Sequence, residues 1–332
     1  MNIFAYRLPS TDGNAPDTVV YASERLLDFN SDTECHGWLF APFADSSDIH
    51  LIPADIRMSA IPDEEILTVA DMCRHPFMTT PRSRHMEYVA DIVSRLRMRD
   101  CSEKTVAACT LTILRSIKPS EIFHRLSEHY PDAFVFLFAA EGYGAWIGAT
   151  PETFMRRHDD SWHTMALAGT RPAGSVGEWD EKNLEEQQIV TDYISDALRK
   201  SGLKVTLGEK RSKKAGKIEH LITPLSASGE PICGVRKLLE QLSPTPALCG
   251  YPKEQAMQMI TDGESTPRML YGGFAGIMSD SRNFDLYVNL RSAIFRSNAI
   301  MLYAGGGITR HSDPLEEWIE TRRKLDTLLN CL

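Results

Sequence analysis

Three apolar runs sit close together near the middle of the chain: Thr105 to Leu114, rich in β-branched and small residues, Phe134 to Ala139, and Ala145 to Ala149. Runs of this length and composition read as buried strands. Two more, Asn283 to Phe295 and Ala299 to Ala304, read as a strand pair. Strands that arrive in runs, without regular β-α alternation, restrict the chain to the α+β class. The expected architecture is a large mixed, mainly antiparallel β-sheet core flanked by helices. Amphipathic periodicity predicts helices over Arg82 to Arg99, Asp180 to Lys200, Val235 to Gln241, Lys253 to Thr261 and Asp313 to Leu329. The amino-terminal part mixes short β-type runs (Thr18 to Tyr21, Trp38 to Phe40, Ile49 to Ile52) with turn clusters and carries no interpretable motif.

With 332 residues, 42% of them hydrophobic, and no internal repeat or low-complexity linker, one domain spanning 1–332 is expected. The 36 Lys and Arg against 45 Asp and Glu give a formal net charge of −9, which disfavours a nucleic-acid partner. The basic stretch from Arg199 to Lys217 lacks interleaved aromatics and reads as a helix end followed by a solvated loop. Seven scattered cysteines, with no C-x-x-C pair, predict reduced thiols and a cytoplasmic protein. No apolar run approaches the ~20 residues of a bilayer crossing, and the first residues do not read as a leader.

Several polar residues stand where the pattern does not explain them. In the helix after Asp180 the apolar stripe through Ile189, Val190, Tyr193, Ala197 and Leu198 leads back to Glu186. There a carboxylate is either near solvent in the first turns, favoured by the helix dipole, or buried and then paired, protonated or bound to a cation. The closing helix is well specified, with Asp313 as cap, Pro314 at its first position and Glu316 three residues on. Glu317, Glu320 and Lys324 share one of its faces. They read either as a solvated face with a weak Glu320–Lys324 pair or as oxygen ligands for a hard divalent cation. Before this helix, Gly305, Gly306 and Gly307 follow a strand and could bring backbone amides close to an anion. Lys104 opens one apolar run and Glu152 follows another. Each is either a strand-end residue reaching water or, in a closed cavity, a base or an acid.

These residues lie inside recognisable strings. From Lys104 to its end the chain resembles the chorismate-utilising enzymes, and within them the isochorismate synthases. The strings are G-A-T-P-E ending at Glu152, A-L-A-G-T-R-P-A-G over Ala166 to Gly174, K-N-L-E-E-Q-Q-I-V over Lys182 to Val190, S-P-T-P-A-L-C-G-Y-P over Ser243 to Pro252, Y-G-G-F-A-G over Tyr271 to Gly276, and L-Y-A-G-G-G-I-T followed by S-D-P-L-E-E-W-I-E-T-R-R-K. Residues 101–332 carry them, and the first hundred match only weakly.

The resemblance implies the chorismate-utilising fold, Mg²⁺ as cofactor, and a site spread along the chain. Lys104 would activate water and Glu152 would protonate the departing hydroxyl. Glu186, Glu317 and Glu320 would hold the metal. Arg291 and Lys324 would bind substrate carboxylates, assisted by backbone around Gly169, Thr170 and Gly305 to Gly307. His220 would lie over the ring, with Ala247, Leu248, Leu290 and Tyr303 completing the pocket.

Among the family's reactions, Lys104 points to water as nucleophile, not ammonia, so no glutaminase subunit is expected. Ala247, where salicylate synthases typically carry threonine, favours stopping at isochorismate. The implied reaction is the reversible conversion of chorismate to isochorismate, with menaquinone synthesis as the expected destination. A salicylate synthase and a non-catalytic binding protein of the same fold are the alternatives. A monomer or weak dimer is expected. Cys109 stands where the family's lysine motif ends in arginine, and Ser243 where histidine is usual.

Overall fold

The computed structural model describes residues 1–10, 16–30, 35–98, 103–215 and 218–332. The amino-terminal region contributes β1 (Asn2–Arg7), β2 (Val19–Ser23), β3 (Leu27–Asp28), β4 (Gly37–Ala41), β5 (His50–Pro53) and β6 (Ile56–Arg57). Then come α1 (Asp63–Met72), α2 (Arg82–Met98), β7 (Lys104–Leu114), α3 (Pro119–His129), β8 (Phe134–Ala140) and β9 (Gly144–Thr150). The middle holds β10 (Thr153–His158), β11 (Ser161–Pro172), α4 (Glu181–Lys200), β12 (Lys204–Leu207), β13 (Arg211–Ala215) and β14 (Ile218–Ser228). The remainder is α5 (Val235–Leu242), β15 (Gly250–Tyr251), α6 (Lys253–Gly263), β16 (Phe274–Asp280), β17 (Asn283–Val288), β18 (Ser292–Arg296), β19 (Ala299–Ile308) and α7 (Pro314–Leu329). The expected helix over Arg82 to Arg99 is α2, though Arg99 itself, like Cys101 and Lys217, falls outside the described residues.

The strands form two sheets, and all described pairings are antiparallel. One runs β15-β7-β19-β18-β9-β8-β1-β2-β6 and the other β12-β14-β11-β10-β17-β16-β4-β5-β3, with β13 also on β14. The expected mainly antiparallel β-sheet core flanked by helices is present, built as two sheets face to face.

Strand β8 shows why its sequence, F-V-F-L-F-A-A, is apolar without alternation. Phe134, Phe136 and Phe138 point between the sheets, while Val135, Leu137 and Ala139 point to the layer that α1, α3 and α7 cover. A strand buried on both faces has no polar face to show. Between the sheets, Trp38 of β4 stacks on Phe134 at 5.9 Å, and Phe134 on Tyr287 at 4.0 Å. Truncating such a side chain costs about 3–5 kcal/mol, so this aromatic layer is a principal clamp between the sheets.

The run Asn283 to Phe295, expected as one strand, is broken at 289–291. β17 pairs with β10 and β16 in one sheet, whereas β18 pairs with β9 and β19 in the other. The crossing places Arg291 at φ +50°. Periodicity cannot see this break, because the residues on both sides are equally apolar.

Candidate active site

Lys104 begins β7, a strand held along its length by β19 from Thr105↔Ile308 to Leu114↔Ala299. Its side chain does not reach water. It is fully buried, and Nζ lies 3.0 Å from Oε1 of Glu186. Glu186 is itself 7% exposed, on the face of α4 that also buries Val190 and Ile194. The solvent-facing readings of both residues are thereby excluded. Cys109, later on β7, is buried, and burial pushes its thiol up to about 12, so it is an inert packing group.

The three glycines are part of a strand and not of a loop. Gly305, Gly306 and Gly307 lie inside β19, paired with Ala108, Ala107 and Val106. Their smallness makes room for side chains. A Cβ on Gly307 would fall on Glu186 Oε1 and lie 2.7 Å from Lys104 Cε, and one on Gly306 would lie 3.0 Å from Glu317 Oε2 and 3.8 Å from Glu320 Oε1. The Gly305 carbonyl accepts a hydrogen bond from Lys324 Nζ at 2.9 Å.

On α7, Asp313 accepts from the amides of Leu315 and Glu316, as its capping position predicts. The helix delivers Glu317 and Glu320 beside Gly306. Each expected metal ligand meets a lysine: Glu186 meets Lys104 at 3.0 Å, Glu317 meets Lys182 at 2.6 Å, and Glu320 meets Lys324 at 2.8 Å. Burial alone would lower the Lys182 pKa, but Glu317, Glu186 and Glu320 together hold it above its ordinary value. Burial raises the Glu317 carboxyl, with Lys182 opposing, whereas Lys324 and Lys182 overcome burial and keep Glu320 below the usual range. Lys182 lies in the recognised K-N-L-E-E string and received no role from sequence. Its spacing of four from Glu186, which puts both on one helix face, was the available signal.

Among the described residues, no three carboxylate, imidazole or thiol groups are already gathered around one point as a ligand set. The donor chemistry nevertheless suits a hard cation. All three side chains are carboxylates, and Glu317 Oε2 is buried without a hydrogen-bond partner beside Gly306, an oxygen available to one.

Glu152 follows β9 and is 3% exposed. Burial pushes its carboxyl up to about 8, against the opposing pull of Lys104, Lys213, Arg291 and Lys324. It therefore carries a proton at neutral pH. Lys104 and Glu152 come from β7 and the end of β9 of the same sheet, with β19 and β18 between them.

Arg291 is oriented by His220, whose Nε2 lies 2.9 Å from a guanidinium nitrogen. On its other side, His220 Nδ1 lies 2.9 Å from the Gly169 carbonyl and 3.1 Å from the Thr170 hydroxyl. The guanidinium can only donate and the carbonyl only accept, which fixes the tautomer: Nδ1 bears the hydrogen and Nε2 accepts. Burial, with Arg291 and Lys324 nearby, pulls the imidazole down to about 3, consistent with a neutral ring. Gly169 sits at φ +75° in a bulge of β11 against Asn183, a conformation suited to glycine.

These groups surround one cavity. Glu152, Glu186, His220, Arg291 and Lys324 line it, as do Gly169, Thr170, Gly305 and Gly307. Ala247, Leu248, Leu290 and Tyr303 supply apolar wall. Tyr303 contributes its ring, stacked on Trp146 and Tyr271, while its hydroxyl donates to the Pro267 carbonyl at 3.1 Å. Lys104 abuts the cavity through Glu186, and Gly306, Glu317 and Glu320 lie behind it. Leu167, Ala168, Tyr271 and Ala304 also line the wall and were not singled out in the sequence, where they look like ordinary strand and turn residues.

Comparison with known proteins gives a consistent placement. A family profile described as "Chorismate binding enzyme" matches residues 62–332. "Isochorismate synthase MenF" of Escherichia coli (strain K12) is 35% identical over 215 residues, which cover 60% of this chain and 48% of that protein. "Salicylate biosynthesis isochorismate synthase" of Pseudomonas aeruginosa is 30% identical over 255 residues, 74% of this chain and 53% of that protein. The chain thus spans about half the length of the curated relatives it matches. Among solved structures, the menaquinone-specific isochorismate synthase MenF from Escherichia coli superposes with a TM-score of 0.80 at 23% identity, covering 100% of this chain and 89% of that one. Anthranilate synthase component I from Streptococcus pneumoniae TIGR4 superposes at 0.72 and 17%, covering 98% of this chain and 89% of that one, so the likeness is one of fold. With the profile covering most of the chain and the fold shared, this protein belongs to the chorismate-binding enzyme family.

Proposed function

We propose that residues 1–332 act as one catalytic unit, an isochorismate synthase that interconverts chorismate and isochorismate. The observation that carries this reading is the presence, beside one cavity, of a fully buried lysine and a buried carboxyl group whose burial favours its protonated form. Binding alone needs no such opposed base and acid, which weighs against a non-catalytic role. In the forward direction Lys104 acts in its neutral form, as the amine that accepts the proton water loses as oxygen adds to ring carbon 2. Glu152 gives its proton to the hydroxyl leaving carbon 4, which departs as water. Arg291, held by His220, and Lys324 offer cationic donors to the substrate's carboxylates. Glu186, Glu317 and Glu320 would hold Mg²⁺, which when bound supplies charge neutralisation and orientation for the ring carboxylate.

Ala247 on the cavity wall supports release of isochorismate over further elimination of pyruvate. The similar menaquinone-specific isochorismate synthase MenF supports menaquinone synthesis as the destination, and salicylate synthesis, named for the Pseudomonas aeruginosa relative, and siderophore synthesis are the alternatives. The same reading makes the protein cytoplasmic, a monomer or weak dimer, and independent of a glutaminase subunit. Among the described residues no helix is long and apolar enough to cross a membrane.

The test is purified protein with chorismate and Mg²⁺, resolving isochorismate, salicylate, anthranilate and pyruvate by chromatography. Isochorismate as the main product is expected, with pyruvate release rising in Ala247→Thr. Abundant salicylate from the unmutated protein would move it to the salicylate synthases, and no turnover of chorismate would overturn the assignment.

A further inference from the structure

The basic stretch expected as a solvated loop contains an edge strand that points into the molecule. β13 pairs antiparallel with β14 in a register that sets Lys213 opposite His220, and β14 pairs with β11 in a register that sets His220 opposite Thr170. Directly opposed residues of antiparallel strands project to the same face. Lys213, His220 and Thr170 therefore form one row, on the face where His220 and Thr170 line the cavity.

Lys213 uses its length to cross from this edge to the other side of the site. Its Nζ donates to the Pro151 carbonyl at 2.9 Å. Pro151 and Glu152 are the two residues that connect β9 of one sheet to β10 of the other. Among the described residues this connection is also tied by the Glu152 amide to the Thr150 hydroxyl at 3.2 Å and by the Val288 amide to the Glu152 carbonyl at 3.0 Å. Proline has no amide hydrogen to give, so its carbonyl is the main-chain group by which Pro151 can be hydrogen-bonded.

We propose that Lys213 is a positioning residue for Glu152, fixing through the Pro151 carbonyl the place at which the Glu152 carboxyl enters the cavity. This rests on the reading of Glu152 as the acid of the proposed reaction. The charged groups that act on Glu152 are Lys104 of β7, Lys213 of β13, Arg291 of the β17–β18 connection and Lys324 of α7. Those that act on Lys213 are Glu152, Arg211 of its own strand, Asp132 ahead of β8, and Arg291. Lys213 is thus both a mechanical tie and one of four cations around the carboxyl. Lys210 and Lys214, its neighbours in sequence, are exposed.

The experiment compares wild-type protein with Lys213→Met, Lys213→Gln and Lys213→Arg by two readouts. In steady-state kinetics with chorismate and Mg²⁺, Lys213→Met and Lys213→Gln should lower kcat by roughly 10- to 100-fold, the scale of a misplaced catalytic group, with a much smaller change in KM. Lys213→Arg, long enough to reach the same carbonyl, should recover most of kcat. Separately, ¹³C-carboxyl glutamate NMR, with Glu152 identified through Glu152→Gln, should show Glu152 titrating at higher pH once the lysine charge is gone. Uncharged variants with the wild-type Glu152 midpoint and kcat overturn the proposal, as does an arginine variant no better than methionine. If the wild-type protein does not turn over chorismate, the proposed function fails, and the Glu152 titration still decides the role of Lys213.

Discussion

Lys104 Nζ and Glu186 Oε1 lie 3.0 Å apart in a part of the protein closed to solvent, so the proposed base and a proposed metal ligand are direct partners. Removing either leaves charge without its nearest counter-charge. Glu186→Ala should therefore destabilise the protein by about 3–5 kcal/mol, the scale of breaking a buried pair. Glu316→Ala, at the exposed start of α7, should cost far less. Denaturant unfolding of the two variants side by side checks the difference.

Lys104→Ala and Glu152→Gln should each lower kcat by about 10²–10⁴, the usual contribution of one acid or base, with smaller effects on substrate binding. Because Glu152 must be protonated to act and titrates at about 8, kcat/KM should fall as pH rises through that value. A Lys104→Ala protein with near-normal turnover in Mg²⁺ would remove Lys104 from the role of base.

Glu152 should also be a stability liability. Its folded pKa of about 8 lies above the ordinary 4.5, so between these values the folded state holds a proton that the unfolded state has lost. Stability must then decline with rising pH across that window. Glu152→Gln, which has no proton to lose, should be the more stable protein at pH 7, by on the order of 3 kcal/mol. Melting curves of both proteins from pH 5 to 8 should diverge upward in pH, and parallel curves would contradict the assignment.

The lysine–carboxylate pairing makes a claim about metal binding. Activity should vanish on exhaustive chelation and return with Mg²⁺, and full activity after chelation would refute the ligand set. Lys182 competes for Glu317, so Lys182→Met should bind Mg²⁺ more tightly by calorimetry in the absence of substrate. Glu320→Gln should bind it more weakly.

Much of this site is legible in the sequence because its residues fall in strings that can be recognised locally: Glu152 in A-T-P-E, Glu186 in K-N-L-E-E, Glu317 and Glu320 on one capped helix. What the strings do not carry is which elements meet. Lys213 looks like one more cation in a basic run, and only the β13–β14 register turns it inward. The glycine run reads in the sequence as following a strand, whereas it continues β19, where its smallness accommodates Lys104, Glu186 and Glu317 packed against it. The break at Arg291 is invisible because both sheets demand the same apolar residues.

The family profile starts at residue 62, yet the sheets do not. β1 lies on β8 and β4 on β16, and beyond them β2, β6, β5 and β3 carry each sheet to its far side. Cut away at the profile boundary, β8 and β16 would each become a long bare margin of unmatched amides and carbonyls. Phe134, Phe136 and Phe138 would lose Trp38 and Phe4 from their face. Such a fragment would keep every proposed catalytic group and still polymerise through its open seams. The opening segment, which carries no motif, is what seals the molecule against its own copies.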